Sequence, residues 1–190
     1  MSTQDDEGFE NSVPDQMGTS ARHSVDSVLR ERIIEHVFVG DVLRRMWQLG
    51  VTDIEVLRSE FDAGGYDLVL GHKKILRHLQ MKSSIQGGRS ESVPINLKLA
   101  QKPSGCILWI VVDDDLEFRS YRWLGGEPGQ PLPDLSHHPD AKQTRANAQG
   151  EKRARVGHKA VPRRAFEDLE TLDAVLKRLF GSLQPQSETP

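Results

Sequence analysis

Apolar residues recur at helical spacing near the beginning of the chain. Two sets follow four-residue steps, one of them Leu29, Ile33 and Val37 and the other Ile34, Phe38, Val42 and Met46. This spacing predicts a helix over residues 27–49, which Gly50 is suited to end. We expect Trp47, near the end of that helix, to lie in the core.

The segments that follow alternate apolar and polar residues or form short apolar runs, as β-strands do. We predict strands at residues 53–58, 66–70, 75–82, 106–112 and 116–124. Residues 106–112 are apolar throughout, which is typical of a central strand covered on both faces. Residues 93–99 favour a strand, with a short helix as the alternative. A long loop is predicted over 125–161, and a last helix from Arg164 or Thr171 to Phe180.

This order of elements predicts a single α/β domain over residues 27–183, with a mixed central sheet flanked by helices. Residues 1–26 and 184–190 have no apolar periodicity, and we expect two disordered tails. The longest apolar run is far shorter than the roughly 20 residues that span a bilayer, and the N-terminus has no apolar signal segment. We therefore expect a cytoplasmic protein without membrane contact. The single cysteine, Cys106, excludes a disulfide framework.

Basic residues are concentrated toward the end of the chain. The chain has 25 basic and 28 acidic residues, but six acids and one base lie in residues 1–26, so the remainder carries 24 bases and 22 acids. Residues 142–164 hold eight bases against the single acid Glu151. Such a segment attracts phosphate backbones, and a solvated loop is an equally good interpretation.

Residues 65–82 hold the strongest chemical signal. Asp67 enters a predicted strand, the chain turns back, and the next strand carries Gln80 and Lys82. Because side chains alternate across a strand, Gln80 and Lys82 share one face while Leu79 and Met81 point into the core. The hairpin brings Asp67 beside them, so a carboxylate, an amide oxygen and an ammonium are expected to lie close together.

The first helix with Glu35, the strand entry at Asp67 and the Gln80-x-Lys82 pair together resemble the PD-(D/E)xK nuclease superfamily, which has the restriction-endonuclease-like fold. The resemblance covers residues 30–112. Gln80 stands where the superfamily has an acid, and Tyr66 stands where its name gives proline. The resemblance implies a Mg²⁺- or Mn²⁺-dependent endonuclease acting on nucleic acid, with DNA favoured over RNA.

The resemblance also implies roles for individual residues. Glu35, Asp67, Gln80 and Lys82 would be catalytic; the first three would bind the metal ion, and Lys82 would position the attacking water. The expected nucleic-acid contacts are Lys142, Arg145, Lys152, Arg153, Arg155 and Lys159. A homodimer is an open alternative to a monomer.

Two other interpretations stay open. Gln80 is a weaker ligand than an acid, so the chain would be a weakened relative that binds nucleic acid or a protein without cleavage. Alternatively, the motif is a coincidence in an unrelated α/β interaction protein. Asp67 would then be a turn residue, Lys82 a solvated strand lysine, and Glu35 part of a solvated helix face.

Overall fold

The computed structural model of the chain describes residues 26–60, 64–143 and 150–183. Within these ranges the chain forms two α-helices, nine β-strands and two short 3₁₀ turns. The helices are α1 (Ser27–Gln48) and α2 (Leu172–Phe180). The strands are β1 (Ile54–Arg58), β2 (Leu68–His72), β3 (Ile75–Ile85), β4 (Ser92–Asn96), β5 (Gly105–Val112), β6 (Phe118–Gly125), β7 (Asp140–Lys142), β8 (Ala154–Pro162) and β9 (Glu167–Leu169).

Six strands form a mixed central sheet in the order β1-β2-β3-β5-β6-β9. Strands β3 and β5 are parallel, and every other neighbouring pair in this sheet is antiparallel. All eight residues of β5 are buried, which confirms the prediction of a central strand covered on both faces. The α/β class with a mixed sheet in a single domain is likewise confirmed.

Both helices pack on one face of this sheet, which we call the helix face. The buried stripe of α1 consists of Ile34, Phe38, Val39, Val42 and Met46. It contacts β-strand residues such as Leu79 and Leu108, together with the buried side of α2. The N-cap of helix α2 is Thr171, whose hydroxyl accepts the Ala174 amide hydrogen.

The second apolar stripe of α1 faces outward. Leu29, Ile33 and Val37 are exposed, and Trp47 is 73% exposed, so the prediction of a core position for Trp47 is wrong. A helix that contacts a sheet on one side buries a single stripe. Two stripes in the sequence therefore could not both reach the core.

A second sheet of three strands, in the order β4-β8-β7, covers the opposite face of the central sheet. We call this the polar face because most of the side chains that β3 places on it are polar. Val93, Ile95 and Val161 pack there against Trp109 and Phe166. The predicted loop over 125–161 is therefore wrong where β7 and most of β8 form. Residues 93–99 combine both alternatives, because β4 is followed by a 3₁₀ turn at Leu97–Gln101.

The remaining predicted boundaries differ in detail. The predicted strand over 66–70 is shifted, since β2 begins at Leu68 and leaves Asp67 just before it. Strand β9 was not predicted, and the last helix takes the later of its two predicted beginnings. The predicted tails lie outside the described residues, apart from Asp26. Among the described residues, no helix is long and apolar enough to cross a membrane.

Candidate functional site

The candidate site lies where β2 separates from β3. The two strands pair from His72 opposite Ile75 to Leu68 opposite Leu79, and β3 then continues beside β5 alone. Just before β2, the Asp67 amide donates to the Leu79 carbonyl over 2.9 Å. The Asp67 side chain accepts the Met81 amide hydrogen on Oδ2 over 2.7 Å. Asp67 thus provides through its side chain the acceptor that a neighbouring strand would supply.

A glycine turn holds this segment against the second sheet. Gly65 has a φ of +74°, in the left-handed region that favours glycine. A Cβ atom there would lie 3.0 Å from the Cβ of Asn96, the last residue of β4. The absence of a side chain therefore lets this turn, two residues before Asp67, approach β4 closely.

Gln80 and Lys82 lie two residues apart on β3 and therefore share its polar face, whereas Leu79 and Met81 pack with the helix-face core. Gln80 is only 5% exposed. Its Oε1 is buried without a hydrogen-bond partner among the described residues. Lys82 is half-buried and in register with Trp109 of β5. The site thus includes a buried oxygen acceptor that the fold itself does not use.

Strand β3 is the third of six strands, but β2 ends at Leu68, so within the described chain Gln80 and Lys82 lie on a stretch of β3 that has a neighbouring strand, β5, on one side only. The antiparallel pairing of β2 with β3 aligns Asp67 with Gln80, one step beyond the last pair. The opening at the site is the gap that β2 leaves beside β3.

Glu35 reaches the same end of the sheet from α1. It is 7% exposed, so the interpretation as part of a solvated helix face is wrong. Its Oε2 accepts from Arg32 over 3.1 Å, and its Oε1 lies 3.2 Å from Nε of Arg58. Arg58 is in register with Leu68, the residue after Asp67. Glu35 therefore approaches from the helix face, and two arginines balance its charge.

Two residues beside the site, His78 and Lys102, were not singled out in the sequence. His78 shares the polar face of β3, and its ring meets the edge of Tyr66 at 5.0 Å between centroids. The Lys102 ammonium lies 5.4 Å from the centre of the Tyr66 ring. Burial, and then the Lys102 charge, lower the pKa of His78. The alternation of side chains along β3 that places Gln80 and Lys82 on one face also places His78 there, so His78 could have been predicted from the sequence.

The oxygen donors at the site suit a hard cation. Asp67 offers a carboxylate, and Gln80 offers an amide oxygen that no described residue binds. Mg²⁺ binds through one or two carboxylates while it keeps several waters. In the described part of the chain, no group of three or more His, Cys, Asp or Glu side chains is placed to hold a metal ion. The donor set therefore fits Mg²⁺ or Mn²⁺ with much of the coordination left to water and substrate.

The basic segment belongs to the second sheet, on the polar side of the molecule. Lys142 ends β7, and Lys152 and Arg153 precede β8, which contains Arg155; all four are exposed. Lys159 is partly buried and binds Asp140 through Nζ at 2.9 Å. Arg145 lies outside the described residues.

The chain shows a distant structural likeness to a protein of known structure. The chain is similar to Hjc, a Holliday junction resolvase from the archaeal hyperthermophile Archaeoglobus fulgidus. The TM-score is 0.38 at 13% identity, and the match covers 73% of this chain and 98% of that chain. No family model matches the chain, and no curated protein matches it. A likeness this distant assigns neither a family nor a residue role.

Proposed function

We propose that the protein is a metal-dependent nuclease of the PD-(D/E)xK superfamily, which hydrolyses phosphodiester bonds of nucleic acid, with DNA favoured over RNA. The observation that supports this most is the buried Gln80 oxygen beside Asp67, which has no hydrogen-bond partner among the described residues. An unsatisfied buried acceptor costs about 1–3 kcal/mol. Binding of a ligand by this oxygen explains that cost better than packing does.

Asp67 is the proposed main cation ligand, and the Gln80 oxygen is the second. The Met81 amide, which donates to Oδ2, holds the carboxylate in one orientation. A bound Mg²⁺ or Mn²⁺ would supply an activated water and stabilise charge on the phosphate. Lys82, on the same face as Gln80, would position that water and neutralise the developing negative charge.

Glu35 is proposed as a further carboxylate of the site. Both of its oxygens contact arginines, at 3.1 Å from Arg32 and 3.2 Å from Arg58. For Glu35 to bind a cation directly, its ion pair with Arg58 would have to break. A contact with the cation through a water molecule would leave that ion pair in place. Its proposed part is therefore to add negative charge near Asp67.

Cleavage of plasmid and labelled oligonucleotide DNA in Mg²⁺ or Mn²⁺ tests the proposal. We expect Asp67→Asn and Lys82→Met each to lower the cleavage rate by about 10²–10³-fold, since each removes a group that stabilises transition-state charge. Matched controls are Asp41→Asn, at a partly buried acid on α1 that pairs with Arg44, and Lys177→Met, at an exposed base on α2; both lie away from the site. Equal losses in the controls, or full activity in Asp67→Asn, would exclude the proposed site.

Gln80→Glu sharpens the test because it adds the charge that the superfamily pattern has. A carboxylate binds a hard cation more tightly than an amide does. We expect tighter Mg²⁺ binding by calorimetry, with cleavage retained or raised. If neither the wild type nor the variant binds a divalent cation, the metal site is wrong.

Binding without cleavage is the second candidate function. Two observations favour it: Gln80 is neutral, and the Glu35 charge is already paired with Arg32 and Arg58. This function predicts nucleic-acid binding in EDTA that added Mg²⁺ or Mn²⁺ does not convert into cleavage. Gln80→Glu would then restore cleavage if only the ligand charge is missing.

A further inference from the structure

A polar cleft opens at the end of β3 and β5, beyond the candidate site. Its volume is about 410 Å³. None of the lining residues that the structure describes is acidic, although three are arginines. The polar side chains of the lining are Ser84, Gln86, Ser90, Arg119, Ser120, Arg122 and Arg163.

Arg122 is the buried arginine of this cleft, with 8% of its surface exposed. Its guanidinium lies 4.7 Å from the centre of the Trp109 ring, and its Nε lies 3.2 Å from the Asp168 carboxylate. Stacking and the ion pair hold the group in one place. Burial, followed by the charge of Arg163, lowers the pKa of Arg122.

Arg163 faces this cleft from the 3₁₀ turn after β8, and its side chain is exposed. Within the described parts of the chain its side chain forms no ion pair, whereas Arg119 is paired with Asp113 and Arg122 with Asp168. Arg122 and Arg163 therefore both line the cleft and repel each other, while Asp168 offsets the charge of Arg122 only. An anion in the cleft would relieve this repulsion.

The strand end supplies hydrogen-bond donors to the same space. Ser84 accepts the Trp109 indole hydrogen over 2.9 Å, which leaves the Ser84 hydroxyl hydrogen to donate. The turn at Gly87 and Gly88 closes over the end of β3, and Gly87 has a φ of +74°. A Cβ atom on Gly88 would lie 2.9 Å from the Ile85 carbonyl oxygen. The tight turn therefore depends on glycine.

The cleft lies directly beyond the candidate site along β3. Ser84 follows Lys82 by two residues on the same face, which is about 7 Å at the rise of a strand. Consecutive phosphates of one nucleic-acid strand are separated by a comparable distance, because the backbone between them is longer than the rise of about 3.4 Å per base. Lys82, Trp109 and Arg122 also form one row across β3, β5 and β6.

A larger cleft of about 810 Å³ adjoins this one and shares Arg163. His137, His138 and Arg164 also line it, together with the acid Glu91. Burial lowers the pKa of His138, and the charges of His137, Arg164 and Lys159 lower it further. Two adjoining clefts with crowded positive charge suit a chain of phosphates better than one small anion.

We propose that the cleft of Arg119, Arg122 and Arg163 binds a phosphate of the nucleic-acid strand, next to the phosphate held at Asp67 and Lys82. This proposal rests on the proposed function only for the position of that neighbouring phosphate. The strand would run along the polar face of β3 and continue over Arg163 toward the larger cleft. Phosphate contacts of this kind fix register without reading sequence.

Binding of a labelled single-stranded oligonucleotide in EDTA, measured against salt, tests this proposal apart from cleavage. Arg163→Gln removes an exposed charge that forms no ion pair with a described residue, so the fold is expected to survive, which the melting temperature checks. Loss of one phosphate contact lowers the slope of log K against log salt by about 0.7. It therefore weakens binding about fivefold at about 0.1 M salt. The matched control is Lys177→Gln, an exposed base on α2 at the helix face.

The outcomes separate this proposal from the nuclease proposal. A slope and affinity that fall in Arg163→Gln but not in Lys177→Gln support the cleft, whether or not the wild type cleaves DNA. Equal binding by Arg163→Gln and wild type would overturn the proposal that this cleft binds a phosphate, even if Mg²⁺-dependent cleavage is found. Arg163-dependent binding of inorganic phosphate as tight as that of the oligonucleotide also overturns it, because the ligand would then be a small anion.

Discussion

The two faces of β3 bury polar groups in opposite ways. On the helix face, the Nη atoms of the fully buried Arg77 donate to the Ser104 hydroxyl over 3.0 Å and to the carbonyls of Glu127 over 3.0 Å and Gly126 over 2.9 Å. Only its Nε lacks a partner among the described residues.

On the polar face, Gln80 Oε1 and His78 Nδ1 are buried with no hydrogen-bond partner in the described chain. A buried polar group that forms its hydrogen bonds within the protein stabilises the fold. A buried polar group that lacks a hydrogen-bond partner within the protein is a candidate for contact with a ligand. One strand thus carries a structural cation on one side and the candidate site on the other.

Arg77→Met is expected to give the largest change in stability. It removes the donor of four hydrogen bonds and the guanidinium that lies 5.1 Å from the centre of the Trp123 ring. The Glu127 carbonyl keeps the Gln130 amide as a donor and the Ser104 hydroxyl keeps the Gly129 amide, whereas the carbonyls of Gly126 and Arg178 lose the guanidinium. Unsatisfied buried acceptors cost about 1–3 kcal/mol each. We expect the free energy of unfolding, measured by urea denaturation, to fall by about 3 kcal/mol or more. A loss below about 1 kcal/mol would contradict the structural role of Arg77.

Gln80→Met makes a matched substitution on the other face. Methionine fills a similar volume, and the change removes a buried oxygen that no described residue satisfies. We expect the free energy of unfolding to change by less than about 1.5 kcal/mol, toward greater stability, while divalent-cation binding is lost. A loss as large as that of Arg77→Met would show that Gln80 supports the fold, and the contrast between the faces would fail.

The sequence predicted those elements in which the pattern of apolar residues indicates which side chains are buried. Helix α1 and strand β5 have clear apolar patterns, and both lie close to their predicted bounds. Strand β8 is different, because most of its residues are exposed or only partly buried and Val161 alone is fully buried. Backbone pairing with β4 and β7 forms this strand, and pairing between distant segments leaves little trace in local hydrophobicity.

Part of the candidate site could also be predicted from the local sequence pattern. Alternation along β3 gave the shared face of Gln80 and Lys82, and the hairpin gave the approach of Asp67. The Glu35 pair with Arg58 depends on how α1 lies across the sheet. The arginine cleft combines β3, β6 and the turn after β8, so no spacing in the sequence could predict it. The catalytic and binding roles of these residues stay predictions.

The smallest expected effect concerns His78 and pH. Burial, and then the charge of Lys102, lower the pKa of His78 below the value of about 6.5 that a histidine has in an unfolded chain. Between those two values the unfolded chain holds a proton that the folded protein does not hold. The contribution of His78 to stability is therefore complete above about pH 6.5 and is lost as the pH falls toward the lowered value.

His78→Phe isolates this contribution because it keeps a ring against Tyr66 and removes the titrating nitrogens. We expect the fall in the free energy of unfolding between about pH 7.5 and about pH 5.5 to become smaller in the variant. The fall does not vanish, since burial lowers the pKa of His138 as well. Replacement of His36, which is exposed on α1, provides the control. An unchanged pH dependence in His78→Phe would mean that water reaches this histidine, and the polar face of β3 would then be more open than its burial indicates.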